Sequence, residues 1–310
     1  MQPSLWTNEN KTYILFGTTL NMPPPPRRSK NSRPQVLLFD IGGVCVVSPF
    51  QAILDYEKSR GIPPGWINHS ISATNPNGAW QRLERGEVPL DQAWFAHFKR
   101  DLQDEKRWRS FYARHLAKER GEKLSDAAEE AAYQVPPVPD IDAEWLYWEM
   151  MRVAREPDPY MWPALQKLRK TADQSNGRLI LGALSNTSIF PDGHPFNDES
   201  TPEGRHNKAL KGTFDVFVSS AHVGMRKPAE DIYRYAVTRL HETAKTKFGG
   251  SHPGVRAEDI IFLDDIGANL RTAKKLGMGT IKVRLGRSDL AVRELEKITG
   301  LQLLEAKAKL

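Results

Sequence analysis

Short runs of consecutive apolar residues alternate with longer amphipathic stretches through much of the chain. Continuous apolar runs are typical of strands buried on both faces, and apolar residues three or four positions apart indicate helices. Strands are predicted at residues 35–47 (a strand and its turn), 178–184, 214–218, 260–263 and 280–283, and helices at about 160–173, 228–245 and 267–276. This alternation predicts an α/β fold with a doubly wound parallel sheet.

Turn residues and loops refine this prediction. Pro228 is suited to the first turn of its helix, and Gly277 is suited to a C-terminal cap. The polar stretches 191–210 and 245–257 are longer than usual connections and are predicted to be surface loops.

Residues 49–159 differ in character, since they show helical periodicity and no convincing strand. Leu90, Trp94 and Phe98 are spaced along one face of a helix, and Trp145, Trp148 and Met151 form a similar stripe. Such stripes are more often core than ligand contacts. The charged, then Pro-rich segment 119–142 is expected to be a loosely held insertion. We expect a helical cap at 49–159, inserted into an α/β core formed by 35–48 and 160–304.

The chain ends carry most of the net charge and one candidate targeting signal. Residues 1–34 hold five basic residues against one acidic residue, so most of the net charge of +6 lies there and is weak support for nucleic-acid binding. This Pro-rich tail is expected to be disordered, and the segment 305–310 is expected to be a flexible C-terminal tail. Residues 1–21 have a second interpretation, an extension upstream of a true start at Met22. The single Cys45 excludes an intrachain disulfide and fits a reducing compartment.

The C-terminal tripeptide Ala308-Lys309-Leu310 differs by one residue from the Ser-Lys-Leu peroxisomal address. Two interpretations stay open: recognition by a peroxisomal import receptor, or coincidence in a tail rich in Lys and Ala. The predicted location is therefore cytoplasmic or peroxisomal. No apolar run has the length of a transmembrane segment.

Polar side chains stand where the predicted strands end. Asp40 follows the first strand, Ser185-Asn186 the second, and Asp264-Asp265 the strand at 260–263, while Lys227 precedes a helix. The carboxyl ends of parallel strands share one edge of a sheet, where ligands bind. A carboxylate nucleophile, hydroxyl and amide donors, an ammonium group and an acidic pair are the groups that phosphoryl transfer needs. Singly, Asp40 or the acidic pair could equally be helix caps; together they predict a phosphoryl-transfer site.

The order Asp, Ser, Lys, Asp-Asp resembles the haloacid dehalogenase (HAD) superfamily, whereas receiver-type phosphoacceptor domains have their acidic pair early. Within that superfamily, Gly224–Pro228, Phe262–Leu270 and Arg293–Gly300 resemble the N-terminal phosphatase domain of soluble epoxide hydrolase. The resemblance covers most of residues 35–304, densely in the C-terminal third and loosely in the cap. The chain has no room for the α/β-hydrolase domain of that protein, so epoxide hydrolysis is not expected.

The resemblance implies a role for each motif residue. Asp40 would be the nucleophile and form an aspartyl-phosphate. Mg²⁺ would be held by the Asp40 side chain, the backbone carbonyl of Gly42 and Asp265. Lys227 would be the catalytic cation, and Asp264 would pair with it and orient a water ligand.

The remaining implied roles are binding and support. Ser185 and Asn186 would bind phosphate oxygens, and Asn269 would support the turn that carries the acidic pair.

Gly42 departs from the pattern, because HAD phosphatases usually carry there an Asp that serves as general acid and base. Such a group typically contributes ~10²–10⁴-fold to the rate. Three functions follow: a Mg²⁺-dependent phosphatase of a small or lipid-like phosphomonoester, whose proton comes from water or the cap; a HAD-fold binding or scaffold protein; and a 2-haloacid dehalogenase. The intact acidic pair favours the phosphatase, because two adjacent carboxylates without a cation repel each other. The substrate's identity and the oligomeric state are not readable from the sequence.

Overall fold

A parallel five-stranded sheet forms the centre of the protein, for which a computed structural model describes residues 34–124, 133–250 and 252–304. The strands are β1 (Val36–Phe39), β2 (Ile180–Ser185), β3 (Val216–Ser219), β4 (Ile260–Asp264) and β5 (Gly279–Lys282). Their spatial order is β3-β2-β1-β4-β5, and every neighbouring pair is parallel. The central β1 therefore ends between the ends of β2 and β4. The predicted α/β parallel sheet is confirmed.

The helices of the described residues are α1 (Phe50–Ser59), α2 (Trp66–Ala73), α3 (Ala79–Glu84), α4 (Gln92–Leu102), α5 (Glu105–Glu119), α6 (Ala143–Val153), α7 (Met161–Asp173), α8 (Pro202–Gly212), α9 (Ser220–Val223), α10 (Glu230–Phe248), α11 (Gly267–Lys275) and α12 (Ser288–Thr299).

Both faces of the sheet are covered by helices, which explains why its central strands β1, β2 and β4 are mainly apolar. On one face Leu37 and Phe39 pack in a hydrophobic cluster with residues of α7 and α12. On the other face Val36 and Leu38 pack with residues of α10 and α11. Alternate residues of a strand point to opposite faces, so β1 contributes to both clusters. The arrangement is doubly wound, as the sequence predicts.

Helices α1–α6 share a hydrophobic cluster of their own. Its aromatic residues are tightly associated: the rings of Trp94 and Phe98 stack with centroids 5.0 Å apart. Asp91 caps α4 by accepting a hydrogen bond from the Trp94 N–H at 2.8 Å, a contact that satisfies one of the free donors at a helix start. On the ground of this separate cluster we propose the division into a cap at 49–159 and a core at 35–48 and 160–304.

Three local predictions were wrong. Trp145 is 51% exposed, and the buried face of α6 consists instead of Ala143, Leu146, Tyr147 and Met150. The residues around 202–210 form helix α8 rather than a loop, with Thr201 as its N-cap. Helix α10 begins at Glu230, so Pro228 precedes the helix rather than lying in its first turn. By contrast, Gly277 follows α11 with a φ of +94°, as expected of a C-terminal cap residue.

The predictions for residues 1–33 and 305–310, including the tripeptide Ala308-Lys309-Leu310, lie outside the described residues, as does the part 125–132 of the expected insertion. Among the helices that the structure does describe, none has both the length and the apolar character needed to cross a bilayer.

Candidate active site

The motif residues meet at the carboxyl edge of the sheet. Asp40 immediately follows β1, Ser185 is the last residue of β2, and Asp264 is the last residue of β4. Because β1 lies between β2 and β4, these three positions are neighbours. Lys227 reaches the same place from the segment between α9 and α10 and is only 1% exposed. The structure thus brings the predicted site residues together.

Lys227 joins the two carboxylates at the centre of this site. Its Nζ lies 2.9 Å from Asp40 Oδ2 and 2.8 Å from Asp264 Oδ2. The second oxygen of Asp40 accepts a hydrogen bond from the Ile41 N–H at 2.7 Å. Both oxygens of Asp40 are therefore held, and the carboxylate has a fixed orientation.

The Asn186 side chain binds the backbone of Lys227 on both sides. Its Oδ1 accepts from the Lys227 N–H at 2.9 Å, and its Nδ2 donates to the Lys227 carbonyl at 3.1 Å. Ser185, 4% exposed, lies next to it at the end of β2. The predicted phosphate-binding pair is consequently fixed relative to the buried lysine.

The two adjacent aspartates have different surroundings. Asp264 is fully buried, and besides Lys227 it accepts hydrogen bonds from the Ile266 N–H at 2.7 Å and from Asn269 Nδ2 at 3.0 and 3.1 Å. Asp265 Oδ1, in contrast, is buried with no hydrogen-bond partner among the described residues. Asp264 is thus satisfied by the protein, whereas Asp265 has an oxygen in need of a partner.

A divalent cation fits this set of oxygens. Asp40, Asp264 and Asp265 each offer an oxygen within 4.8 Å of the others. Burial and repulsion from Asp40 and Asp264 raise the pKa of Asp265 to about 7. Burial, against the attraction of Lys227, raises the pKa of Asp40 to about 6, and Asp264 adds to the rise. Three carboxylates are crowded beside the single ammonium group of Lys227, and one oxygen of Asp265 lacks a partner among the described residues. Such a site is suited to Mg²⁺.

The two glycines after Asp40 are not equivalent. Gly43 has a φ of +74°, and a Cβ there would lie 2.5 Å from Asp265 Oδ2, so a side chain would displace that carboxylate. Gly42 has no such restriction: a Cβ on it would meet only Pro49 Cδ, at an ordinary 3.6 Å. Glycine is therefore required at position 43 by the geometry of the site, but position 42 has room for a side chain.

The site opens into a cavity of about 930 Å³ between the sheet edge and the cap. Its polar end contains Asp40, Ser185, Asn186, Lys227 and Asp265. Its walls include apolar residues of the cap and of the segment after β2: Phe50, Ile53, Trp80, Met150, Phe190 and Phe196. A mostly apolar cavity with a few convergent polar groups is the usual form of a small-molecule site.

Two residues at this cavity were not assigned from the sequence. Arg226 stands beside Lys227, and its Nε lies 2.6 Å from Oε2 of Glu84, at the end of cap helix α3. The position of Arg226 next to Lys227 in the sequence could have indicated that it belongs to the site. For Glu84 the sequence contains no such indication, because its partner Arg226 is 142 positions away along the chain.

Sequence comparison links the chain to curated proteins. Over 275 residues, 87% of the chain, it is 25% identical to bifunctional epoxide hydrolase 2 of Sus scrofa, covering 40% of that protein. Over 269 residues, again 87% of the chain, it is 26% identical to acyl-CoA dehydrogenase family member 10 of Mus musculus, covering 19% of that protein. A 97-residue stretch is 42% identical to bifunctional epoxide hydrolase 2 of Rattus norvegicus, covering 31% of this chain and 15% of that protein. The chain thus spans less than half the length of these relatives.

Similar solved structures include a HAD-like family hydrolase from Porphyromonas gingivalis, 20% identical with a TM-score of 0.46, where 85% of this chain and 98% of that chain are covered. Another is a HAD family enzyme from Bacteroides thetaiotaomicron in complex with magnesium and inorganic phosphate, 17% identical with a TM-score of 0.44, with 81% and 95% covered. A dehalogenase is 16% identical with a TM-score of 0.44, and 87% and 98% of the two chains are covered. No protein-family model matches the chain.

The parallel sheet, the order of the motif residues along it and the sequence matches agree with one class of protein. In fold, motif order and sequence matches, the chain resembles the HAD-like hydrolases. Within that class it is similar to the bifunctional epoxide hydrolases, which confirms the resemblance stated from the motifs.

Proposed function

We propose that the protein is a Mg²⁺-dependent phosphatase that hydrolyses a phosphomonoester through a phosphorylated Asp40. The observation that carries the proposal is the position of Asp40, held by the Ile41 N–H and by Lys227 at the polar end of a cavity large enough for an organic substrate. A nucleophile needs this fixed orientation, because reactivity depends on a productive approach to the phosphorus atom.

The proposed reaction has two displacements at phosphorus. In the first, an oxygen of Asp40 forms a bond to phosphorus while the bond to the leaving-group oxygen breaks, and the electron pair stays on that oxygen. In the second, a water oxygen bonds to phosphorus and Asp40 leaves as a carboxylate. The alkoxide takes up one proton in the first step and the water gives up one in the second, so protons balance over the cycle.

Ser185 and Asn186 would bind the phosphoryl oxygens, and Lys227 would offset negative charge beside Asp40. Asp40, Asp265 and the backbone carbonyl of Gly42 would hold Mg²⁺, while Asp264 and Asn269 support them. A bound Mg²⁺ supplies positive charge that screens the phosphoryl oxygens from the attacking carboxylate. The unpartnered oxygen of Asp265 supports this assignment.

Because Gly42 supplies no carboxyl group, the proton has to come from water or from the cap. Esters whose leaving group is a weak base need this proton least. Anomeric, acyl and aryl phosphates should therefore be better substrates than simple alkyl phosphates. The apolar cavity walls fit a small or lipid-like organic group.

The test is a panel of acyl, aryl, sugar and lipid-like phosphates, assayed for phosphate release with Mg²⁺ and with a chelator. A phosphatase releases phosphate only with the metal, and Asp40→Asn abolishes the release. Chloride release from 2-chloropropionate that survives the chelator would instead support the dehalogenase. Absence of turnover on the whole panel, with Mg²⁺ bound, would support a binding or scaffold protein.

The location is a separate proposal: recognition of Ala308-Lys309-Leu310 by a peroxisomal import receptor, with cytoplasmic residence as the alternative. A fluorescent protein fused to the N-terminus should enter peroxisomes and lose that location when Leu310 is deleted. Diffuse fluorescence of the undeleted fusion would support the cytoplasm.

A further inference from the structure

The end of cap helix α3 contacts the core beside the phosphate-binding residues. Glu84 Oε2 accepts a hydrogen bond from Arg226 Nε at 2.6 Å and lies 3.4 Å from Asn186 Nδ2. The Glu84 carbonyl accepts from Ser220 Oγ at 2.5 Å, and the same Oγ accepts from the Thr187 N–H at 2.8 Å. One cap residue thus contacts both the side chain of the predicted phosphate ligand and, through a hydroxyl, the backbone that follows it.

Gly86 shows how closely the cap approaches the core at this point. A Cβ on Gly86 would lie 2.1 Å from the Ala221 carbonyl oxygen, and its φ is +65°. Only glycine allows this contact between two backbones. We refer to the contact of residues 84–86 with residues 186–187, 220–221 and 226 as the docking contact.

The docking contact is connected to Lys227 by short links. The side chain of Asn186 is hydrogen-bonded to both the N–H and the carbonyl group of Lys227. Arg226 directly precedes Lys227 in the chain. The Glu84 and Arg226 side chains are only 12% and 18% exposed. Removal of one partner from such a poorly solvated pair leaves the other charge without compensation, so substitution of either residue should disturb the docking contact.

We propose that Glu84 is a positioning residue that couples docking of the cap to the arrangement of Asn186 and Lys227. Its catalytic consequence rests on the proposed phosphatase function. When the cap is docked, Glu84 holds Arg226 and Asn186, and Asn186 holds the backbone from which Lys227 reaches Asp40. Displacement of catalytic groups by about 1 Å can lower a rate by about 10²-fold, so a contact of this kind can affect turnover without touching the substrate.

The test uses two substitutions that disturb the docking contact in different ways. Glu84→Gln removes the charge that Arg226 requires, and Gly86→Ala inserts a methyl group against Ala221. Both should lower kcat/KM for an aryl phosphate by about 10- to 100-fold and raise the Ki of inorganic phosphate. The matched control is Glu87→Gln, because Glu87 is near in sequence but pairs with Arg85 within the cap. It should leave both constants unchanged.

A second readout does not depend on activity. Hydrogen exchange at the Lys227 and Thr187 amides should accelerate in Glu84→Gln while amides in the central strand stay protected. If exchange accelerates in this way but the wild type hydrolyses no phosphate ester, the coupling stands and the proposed function fails. If the wild type is active, and Glu84→Gln changes neither the Ki of phosphate nor Lys227 exchange, the coupling is wrong. A lower melting temperature with unchanged kinetics would likewise overturn it in favour of a purely structural contact.

Discussion

Replacement of Gly42 by Asp tests whether the missing carboxyl group limits the reaction. The position is suited to the experiment, because Gly42 borders the cavity and its backbone is not in the left-handed region. A Cβ there would meet only Pro49 Cδ at 3.6 Å, so Gly42→Asp should fold without strain. The neighbouring Gly43 could not be used in this way.

The expected gain follows from the chemistry of the leaving group. A general acid and base typically contributes ~10²–10⁴-fold, which corresponds to roughly 3–5 kcal/mol of activation free energy. For simple alkyl phosphates Gly42→Asp should therefore raise kcat by up to this factor. For aryl and acyl phosphates, whose leaving groups are weak bases, the gain should be much smaller.

The assay is kcat/KM across a series of esters of increasing leaving-group pKa, at saturating Mg²⁺. Gly42→Asn is the matched control, because it adds a side chain of the same shape without an ionisable group. Mg²⁺ titration of each variant checks that the metal site, which gains a further negative charge nearby, is intact. The reasoning is refuted if Gly42→Asp binds Mg²⁺ and hydrolyses aryl phosphates like the wild type but gains nothing on alkyl phosphates.

Three further predictions concern the site and the fold. Gly43→Ala should weaken Mg²⁺ binding measured by calorimetry, because its methyl group would displace Asp265. Phe98→Ala should lower the free energy of unfolding by about 3–5 kcal/mol in urea titrations, since Phe98 is fully buried in the cap. Burial alone would raise the pKa of Asp215, but Lys247 and other partners outweigh it and hold that pKa below its usual range. A lowered folded-state pKa stabilises the fold above the unfolded pKa and loses that effect as the pH falls. Asp215→Asn should therefore be destabilising at pH 7, and the gap to wild type in urea titrations should narrow below about pH 4.

The core of the fold could be predicted from the sequence because its signal is local. Strands β1 and β4 are continuous apolar runs, and the parallel sheet buries both faces of each. The helix at 202–212 was missed because its composition is polar and contains Gly204. That glycine is explained only by the fold, since a Cβ on it would lie 1.9 Å from the Asp198 carbonyl oxygen.

The cap was harder to predict in detail, because the spacing of its aromatic residues is compatible with burial of more than one face of each helix. Trp145 and Trp148 suggested one stripe, but α6 turns Leu146 and Met150 inward instead. Which face is buried depends on contacts with α1 and α4, which local periodicity does not encode.

At the candidate site, the sequence could place the residues that stand at strand ends. Asp40 and Asp264 meet because their strands are neighbours, and Lys227 contacts both carboxylates. Only the three-dimensional structure shows that Gly43 must be glycine and that position 42 has room for a side chain. The contact of Glu84 with Arg226 joins the cap to the core, and nothing in either segment alone predicts it.

The central claim is that Asp40 becomes phosphorylated, and trapping that species tests it most directly. The protein would be mixed with acetyl phosphate and Mg²⁺, quenched in acid after a short interval, and analysed by peptide mass spectrometry. We predict one phosphoryl group on the peptide that contains Asp40, absent in Asp40→Asn and absent when a chelator is present. An unmodified Asp40 peptide, in a sample that releases phosphate with Mg²⁺, would contradict the proposed mechanism.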